Sequence, residues 1–144
     1  MGTTCTAAVI SEGKIHVAHA GDSRGYVQRD QELSQLTEDH SWVAQLVKDG
    51  HITSEQARVH PSRNVITRAL GIEKELVPDI ITEEIRAGDI VLLCSDGLHG
   101  LVEDGDINEI LDSIPIQEAL LALIQLSNDK GGDDNITVVA AAIH

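Results

Sequence analysis

Three aspartates lie beside apolar, strand-like segments, and carboxylates in such positions indicate metal chemistry. Asp22 and Asp96 each follow one of these segments, and Asp134 precedes another. If the first two segments run the same way in space and the third runs the opposite way, all three carboxylates gather at one end of the sheets. Three Asp side chains without His or Cys form a hard-oxygen site, which suits Mg²⁺ or Mn²⁺ better than zinc. Water on such an ion is a nucleophile suited to phosphate esters.

Asp96 carries most of this hypothesis, because it follows an unbroken apolar run that is typical of a strand buried on both faces. A carboxylate at the end of a buried strand is costly to desolvate unless a cation or hydrogen-bond donors meet it. Gly97 allows the backbone to approach a bound group closely. An Asp-Gly pair after a strand is also an ordinary turn, so the spacing alone leaves both interpretations open and specifies no substrate.

Composition limits the class of protein. The 144 residues suit one domain spanning 1–144, with no Phe, one Trp and one Tyr, so the core is expected to consist of Val, Ile, Leu and Ala. The 24 acidic and 10 basic side chains give a formal net charge of -14, which disfavours nucleic acid and anionic membranes as partners. No run reaches the roughly 20 apolar residues that span a bilayer, and no signal-like segment opens the chain.

The two cysteines predict a reducing environment. Cys5 and Cys94 both fall inside apolar, strand-like runs. Two cysteines give neither a disulfide framework nor the spacing of a thiolate zinc site. We therefore expect both to be buried free thiols, which predicts a cytoplasmic protein.

The first part of the chain is predicted to form four short strands. Segments 3–10 and 14–20 flank a turn and form one hairpin, and segments 25–29 and 33–36 form a second. Their meander order favours an antiparallel sheet.

From Ser41 the apolar period changes to that of helices. One short helix is predicted to end at Asp49-Gly50, and a capping box at Thr53 begins another helical turn. The stretch 41–71 has few large apolar side chains, so we expect it to stand away from the sheet. The alternative is a pair of ordinary surface helices.

The remaining elements complete a mixed α and β pattern. Pro78 cannot donate a ladder hydrogen bond, so its strand is expected at an edge or a bulge. Residues 98–102 are expected to form a turn, and Asp106 is expected to cap a helix with Glu109 capping back. The helix after Pro115 has a regular apolar stripe, which is expected to pack against a sheet.

Six motifs occur over essentially the whole chain. They are MGTT at 1–4, AGDSR at 20–24, LTEDHS at 36–41, HPSRNVITRALG at 60–71, GDIVLLCSDGL at 88–98 and GGDDNITVV at 131–139. In this order they resemble the type 2C, metal-dependent (PPM) protein serine/threonine phosphatases, and the bacterial branch most closely.

The resemblance implies an α+β fold, in which a β-sandwich of two antiparallel sheets is flanked by helices, with a metal centre at one end. It implies Asp96 and Asp134 as ligands of a first Mg²⁺ or Mn²⁺ ion, and Asp22 as joining Asp96 at a third, weaker ion. Residues 41–71 would be the flap beside the cleft. A metal-bound water, and no side chain, would hydrolyse phosphoserine or phosphothreonine in protein substrates of a Ser/Thr kinase.

The resemblance also implies that this stretch is the C-terminal portion of the family's catalytic domain, with the N-terminal part of the domain absent. That part would supply a phosphate-binding Arg and an Asp-Gly motif whose Asp bridges two metals. We therefore expect impaired catalysis in the isolated chain, and exposed sheet edges that favour self-association or a partner. The alternatives are a noncatalytic regulatory or interaction module on the same scaffold, and an unrelated acidic β-rich binding domain without a two-sheet core.

Overall fold

The computed structural model describes residues 1–72 and 74–144, and its strands form two antiparallel sheets. The strands are β1 Cys5–Ser11, β2 Lys14–Ala20, β3 Arg24–Arg29, β4 Glu32–Gln35, β5 Asp79–Glu84, β6 Ile90–Cys94 and β7 Val138–Ala142. The first sheet has the order β1-β2-β5, and the second has the order β4-β3-β6-β7.

The two predicted hairpins, β1–β2 and β3–β4, are confirmed. Both two-residue turns have positive φ at each central residue, 50° and 73° at Glu12 and Gly13, and 50° and 66° at Asp30 and Gln31. Turns of this kind match the right-handed twist of the strands that they join, so they fix the register of each hairpin.

The expected single meander is wrong, because the two hairpins lie in different sheets. The chain crosses from one sheet to the other at residues 21–23. The other neighbour of β2 is β5, and the other neighbour of β3 is β6. Both of these partners come much later in the chain, so the local pattern could not reveal the division. The predicted edge position of the strand near Pro78 is confirmed, since β5 begins at the next residue and lies at the sheet edge.

The described helices begin and end at clear local signals. They are α1 Trp42–Lys48, α2 Ser54–Arg58, α3 Asp96–His99, α4 Asp104–Ser113 and α5 Ile116–Asp129. The predicted capping box of α2 is present, because Thr53 Oγ1 accepts from the Gln56 N–H at 3.2 Å and Gln56 Oε1 accepts from the Thr53 N–H at 2.8 Å. Asp49 is the C-cap of α1, as predicted.

The segment 98–102, predicted as a turn packed on the sheet, begins inside α3, which ends at His99, and turn residues follow it. Its side chains Leu98 and Val102 pack in the core beside the sheet, as predicted. The predicted start of the next helix is wrong. Helix α4 begins at Asp104 rather than after a cap at Asp106. The Asp106 carboxylate instead accepts a hydrogen bond from Lys130 Nζ at 3.0 Å, so a contact distant in sequence replaces the local cap.

The core has two layers, one on each face of the second sheet. The layer between the sheets contains Ile15, Val17, Val27, Ile85 and Val91. The layer between the second sheet and helices α3, α4 and α5 contains Tyr26, Leu92, Cys94, Leu98, Val102, Ile107, Leu111, Ala119 and Leu123. Strand β6 contributes to both layers, which confirms its predicted burial on both faces. Tyr26 is fully buried, so the core is not made of aliphatic residues alone.

The predicted two-sheet fold with flanking helices is therefore confirmed, and a domain without a two-sheet core is excluded. The prediction for Cys94 is correct, but Cys5 is exposed because β1 is an edge strand with mostly exposed residues. Across 1–72 and 74–144, every helix is too short or too polar to cross a bilayer.

We call residues 41–71 the flap segment. Isolated bridges fix its two ends, one between Ser41 and Ile66 and one between Thr3 and Leu70. Its helices α1 and α2 contact each other. Val43 and Ala69 are its buried apolar side chains, so most of this segment lies outside the two core layers.

Candidate functional site

Asp22 lies two residues after the end of β2, where the chain crosses between the sheets, and it is 7% exposed. The Nε2–H of His99 donates to the Asp22 carbonyl oxygen at 2.7 Å. Burial, and then the charge of Arg24, lower the pKa of His99 to about 4, so this imidazole is neutral at physiological pH. The single N–H of the neutral ring therefore holds the Asp22 turn against α3.

Asp96 is the first residue of α3, one residue beyond Ser95 and the end of β6, and is half-buried. The preceding residue, Ser95, accepts a hydrogen bond from the Thr137 N–H at 3.0 Å and donates its hydroxyl proton to the Asn135 carbonyl at 3.1 Å. Ser95 thus joins the start of α3 to the loop before β7.

Asp134 is exposed in that loop, and its Oδ1 accepts from the Asn135 N–H at 2.7 Å. A side chain at Gly97 would collide with the Asn135 carbonyl. The Gly97 carbonyl itself accepts a hydrogen bond from the buried Ser127 hydroxyl at 2.6 Å. Gly97 therefore allows the Asp134 loop to pack against α3, beside Asp96.

The three carboxylates interact electrostatically. Burial raises the pKa of Asp22 to about 6, and the charge of Asp96 contributes to that rise. Burial likewise raises the pKa of Asp96, and the charge of Asp134 adds to that effect. Asp96 is thus the central member of the group, because its charge interacts with the charges of both Asp22 and Asp134. A bound cation would relieve this repulsion and stabilise the ionised forms.

The donor set fits a hard divalent cation in type and charge, since all three side chains offer oxygen. Within 1–72 and 74–144, however, no three His, Cys, Asp or Glu side chains are arranged closely enough to hold a metal ion by themselves. By themselves, Asp22, Asp96 and Asp134 would therefore supply only part of a ligand shell. Mg²⁺ and Mn²⁺ commonly take the rest of their shell from water and substrate.

A second cluster of polar side chains, centred on Arg24, lines the same cleft and was not predicted from the sequence. Arg24 donates to the Asp39 carboxylate from Nε at 2.9 Å and from Nη2 at 2.8 Å. Its Nη1 donates to the Tyr26 hydroxyl at 3.1 Å, and that hydroxyl donates to Asp104 Oδ1 at 2.9 Å. Burial opposes ionisation of Arg24, but the hydrogen bonds to Asp39 raise its pKa above the ordinary value. The motif AGDSR was the available signal, and it did not identify the partners.

One cleft of about 540 Å³ joins these features. Asp22 and Asp96 line it from the sheet ends, and Arg24 lines it from β3. Its remaining wall comes largely from the flap segment, including Val43 on α1 and Arg58 on α2. A cleft of this volume is suited to a small ligand or to a few residues of a peptide.

The sequence of residues 1–114 matches the family described as Protein phosphatase 2C. The chain belongs to this family. The match covers both sheets except β7, and it includes Asp22 and Asp96 but not Asp134.

Curated and solved serine/threonine phosphatases resemble the chain over 99–100% of its length. The serine/threonine protein phosphatase PstP of Mycobacterium tuberculosis (strain CDC 1551 / Oshkosh) is 46% identical over 143 residues, which are 99% of this chain and 28% of PstP. The crystal structure of the serine/threonine phosphatase Stp1 from Staphylococcus aureus has a TM-score of 0.96 and 41% identity, covering 100% of this chain and 57% of Stp1.

A structure of the catalytic domain of PstP in complex with two manganese ions has a TM-score of 0.90 and 43% identity. The similarity to this structure covers 100% of the present chain and 60% of the PstP catalytic domain. The chain thus spans less than two thirds of each of these phosphatases.

The raised pKa of Asp22 predicts a pH-dependent stability in this phosphatase 2C chain. The pKa of Asp22 in the folded chain, about 6, exceeds the ordinary 3.8. The protonated Asp22 side chain therefore contributes to the free energy of unfolding fully below pH 3.8, and this contribution is lost as the pH rises to about 6. In EDTA at pH 7, Asp22→Asn should therefore unfold with a free energy up to about 3 kcal/mol higher than the unmodified chain. Urea unfolding from pH 3.5 to 7.5 measures this difference. A difference that does not change with pH would contradict the predicted burial of this charge.

Proposed function

We propose that this chain is part of a metal-dependent protein serine/threonine phosphatase, and that it contributes carboxylate ligands and the substrate-facing flap. The observation that carries the proposal is the arrangement around Asp96: it lines one cleft together with Asp22, and the loop that carries Asp134 packs on the neighbouring Gly97. Membership of the phosphatase 2C family supports the same reaction class.

Each carboxylate has a proposed role. Asp96 and Asp134 hold the first ion, and Asp22 joins Asp96 at a third, weaker ion. A divalent cation bound there would lower the pKa of a coordinated water and neutralise charge on a phosphate ester. Mn²⁺ and Mg²⁺ are the proposed ions, and the two manganese ions in the PstP structure support Mn²⁺ for this chain.

We propose that the chain needs further ligands for full activity. The Asp-Gly motif whose Asp bridges two metals in the resembling family has no counterpart among the residues here. Stp1 extends well beyond the matched region, since this chain covers 57% of it. Phosphatase activity is then a joint property of these residues and of a complementary segment.

A mixing experiment tests this proposal. The chain should hydrolyse p-nitrophenyl phosphate slowly or not at all with Mn²⁺, and addition of the Stp1 segment that it does not cover should raise the rate by at least about tenfold, because the second segment completes the ligand shell. The same mixture with Asp96→Asn should remain inactive. A complex that forms without any gain in activity would contradict the proposal.

A noncatalytic interaction module on the same scaffold is the second candidate. It is favoured by the finding that no compact trio of metal-binding side chains occurs in the described part of the chain, 1–72 and 74–144. An inactive but stable complex in the mixing experiment would support this alternative.

We propose phosphorylated proteins, the products of a Ser/Thr kinase, as substrates. We also propose a cytoplasmic location, which the unpaired Cys5 and Cys94 support.

Self-association through sheet edges is a further part of the proposal. Edge strands β1, β5 and β7 carry the exposed side chains Val9, Ile80 and Val139. Such edges favour pairing with another strand, and sedimentation over a range of concentrations would reveal it.

A further inference from the structure

The flap segment brings two arginines to the cleft wall. Arg58 and Arg63 both line the cleft that contains Asp22 and Asp96. The cleft's other arginine, Arg24, is bound by Asp39. Arg58 and Arg63 make no ion pair with any residue among 1–72 and 74–144. Both guanidinium groups are therefore available to an anionic ligand.

Arg58 is the better placed of the two for a specific contact. It is half-buried at the end of α2, whereas Arg63 is exposed. Apolar residues of the flap segment, Val43 and Val47 among them, line the same cleft. A charge beside apolar groups is less screened by water and salt than an exposed one, so its ion pairs are stronger.

The charge of Arg58 is also opposite to that of its surroundings. The chain has a net charge of -14, and Asp22, Asp96 and Asp104 line the cleft. These carboxylates repel an anionic peptide unless a cation compensates. Metal ions at Asp22 and Asp96 would offset the repulsion between these carboxylates and the reacting phosphate. They would not offset the repulsion of a further negative group bound beside the flap segment.

We propose that Arg58 is a specificity-determining residue, which binds a second anionic group beside the phosphorylated residue of the substrate. The inference rests on the proposed phosphatase function and narrows its substrate class to acidic phosphosites. The guanidinium can bind a carboxylate or a phosphoryl group through two parallel hydrogen bonds. The second group is an Asp or Glu side chain, or a second phosphorylated residue.

Three fluorescent peptides distinguish these sources. Each carries one phosphothreonine, flanked by Asp in the first, by the neutral isostere Asn in the second, and by Asn with an added phosphoserine in the third. Their dissociation constants are measured by fluorescence anisotropy with Mn²⁺. The Asp peptide or the doubly phosphorylated peptide should bind about 5- to 10-fold more tightly than the Asn peptide. A gain of this size is expected from one charge-assisted hydrogen-bonded pair.

Variants assign this preference to Arg58. Arg58→Gln should reduce the preference to less than about twofold. Arg58→Lys should retain part of the preference, because lysine keeps the charge but not the planar fork. Arg86→Gln is the matched control: it removes one positive charge from an exposed residue outside the cleft and should keep the full preference.

Each outcome decides the matter. Equal affinity for all three peptides, or a preference that survives Arg58→Gln, would overturn the role of Arg58 while leaving the phosphatase proposal intact. Binding of the Asn peptide that ignores both Mn²⁺ and Asp96→Asn, or no binding of any peptide, would overturn the proposed function together with the inference.

Discussion

Replacing Asp96 by Asn is expected to weaken Mn²⁺ binding by at least about 100-fold. Burial is the main cause of the raised pKa of Asp22 and of Asp96. The charge of Asp96 adds to the rise at Asp22, and the charge of Asp134 adds to the rise at Asp96, so Asp96 interacts with both of the other carboxylates. Changes to residues that merely support metal ligands cost about 10- to 100-fold in affinity, so loss of Asp96, the proposed direct ligand, should cost at least the upper end of that range. Isothermal titration calorimetry with MnCl₂ measures the effect.

The same substitution should act on stability in the opposite direction. It removes a half-buried charge that is repelled by its neighbours when no metal is bound, so Asp96→Asn should unfold at a higher temperature than the unmodified chain in EDTA. Asp112→Asn is the matched control, because Asp112 is an exposed residue of α4 that does not line the cleft. Asp112→Asn should change neither property. Unchanged Mn²⁺ affinity in Asp96→Asn would contradict the proposed role of Asp96.

Gly97→Ala is expected to destabilise the chain by about 2–3 kcal/mol and to weaken Mn²⁺ binding as well. The new Cβ would collide with the backbone carbonyl of Asn135, and a backbone atom cannot move aside as a flexible side chain can. Ser127 holds the Gly97 carbonyl from the other side with a buried hydrogen bond of 2.6 Å. The Asp134 loop must therefore move away from Asp96. Chemical denaturation and calorimetry measure the two effects.

Gly105→Ala controls for the change of residue type. Gly105 also lies in a helix, but a Cβ there meets no atom within 4 Å. This substitution should stabilise the chain by roughly 0.5–1 kcal/mol, because alanine loses less entropy than glycine in a helix. If Gly97→Ala were as harmless as Gly105→Ala, the close packing of the Asp134 loop on α3 would be wrong.

The sequence predicted the elements around the site because their signals are local. The hairpin turns, the capping box at Thr53 and the apolar run of β6 each depend on residues a few positions apart. The placement of Asp22 and Asp96 after strands follows from the same local signals, and the structure places both on one cleft.

Features that depend on distant partners could not be predicted in this way. The assignment of β2 and β3 to different sheets is fixed by β5 and β6, far along the chain. The pairing of Arg24 with Asp39 and the contact between Lys130 and Asp106 likewise follow from the folded geometry. The exposure of Cys5 depends on the edge position of β1, which the apolar character of the segment does not reveal.

Asp22, Asp96 and Asp134 are proposed to share hydrated divalent cations at the end of the two sheets. Anomalous diffraction at the manganese edge, from crystals of the chain grown with MnCl₂, tests this proposal most directly. We predict a strong anomalous peak between the Asp96 and Asp134 carboxylates, and a weaker one between Asp96 and Asp22. Fully formed density for all three side chains without a peak beside Asp96, at millimolar Mn²⁺, would contradict the proposal.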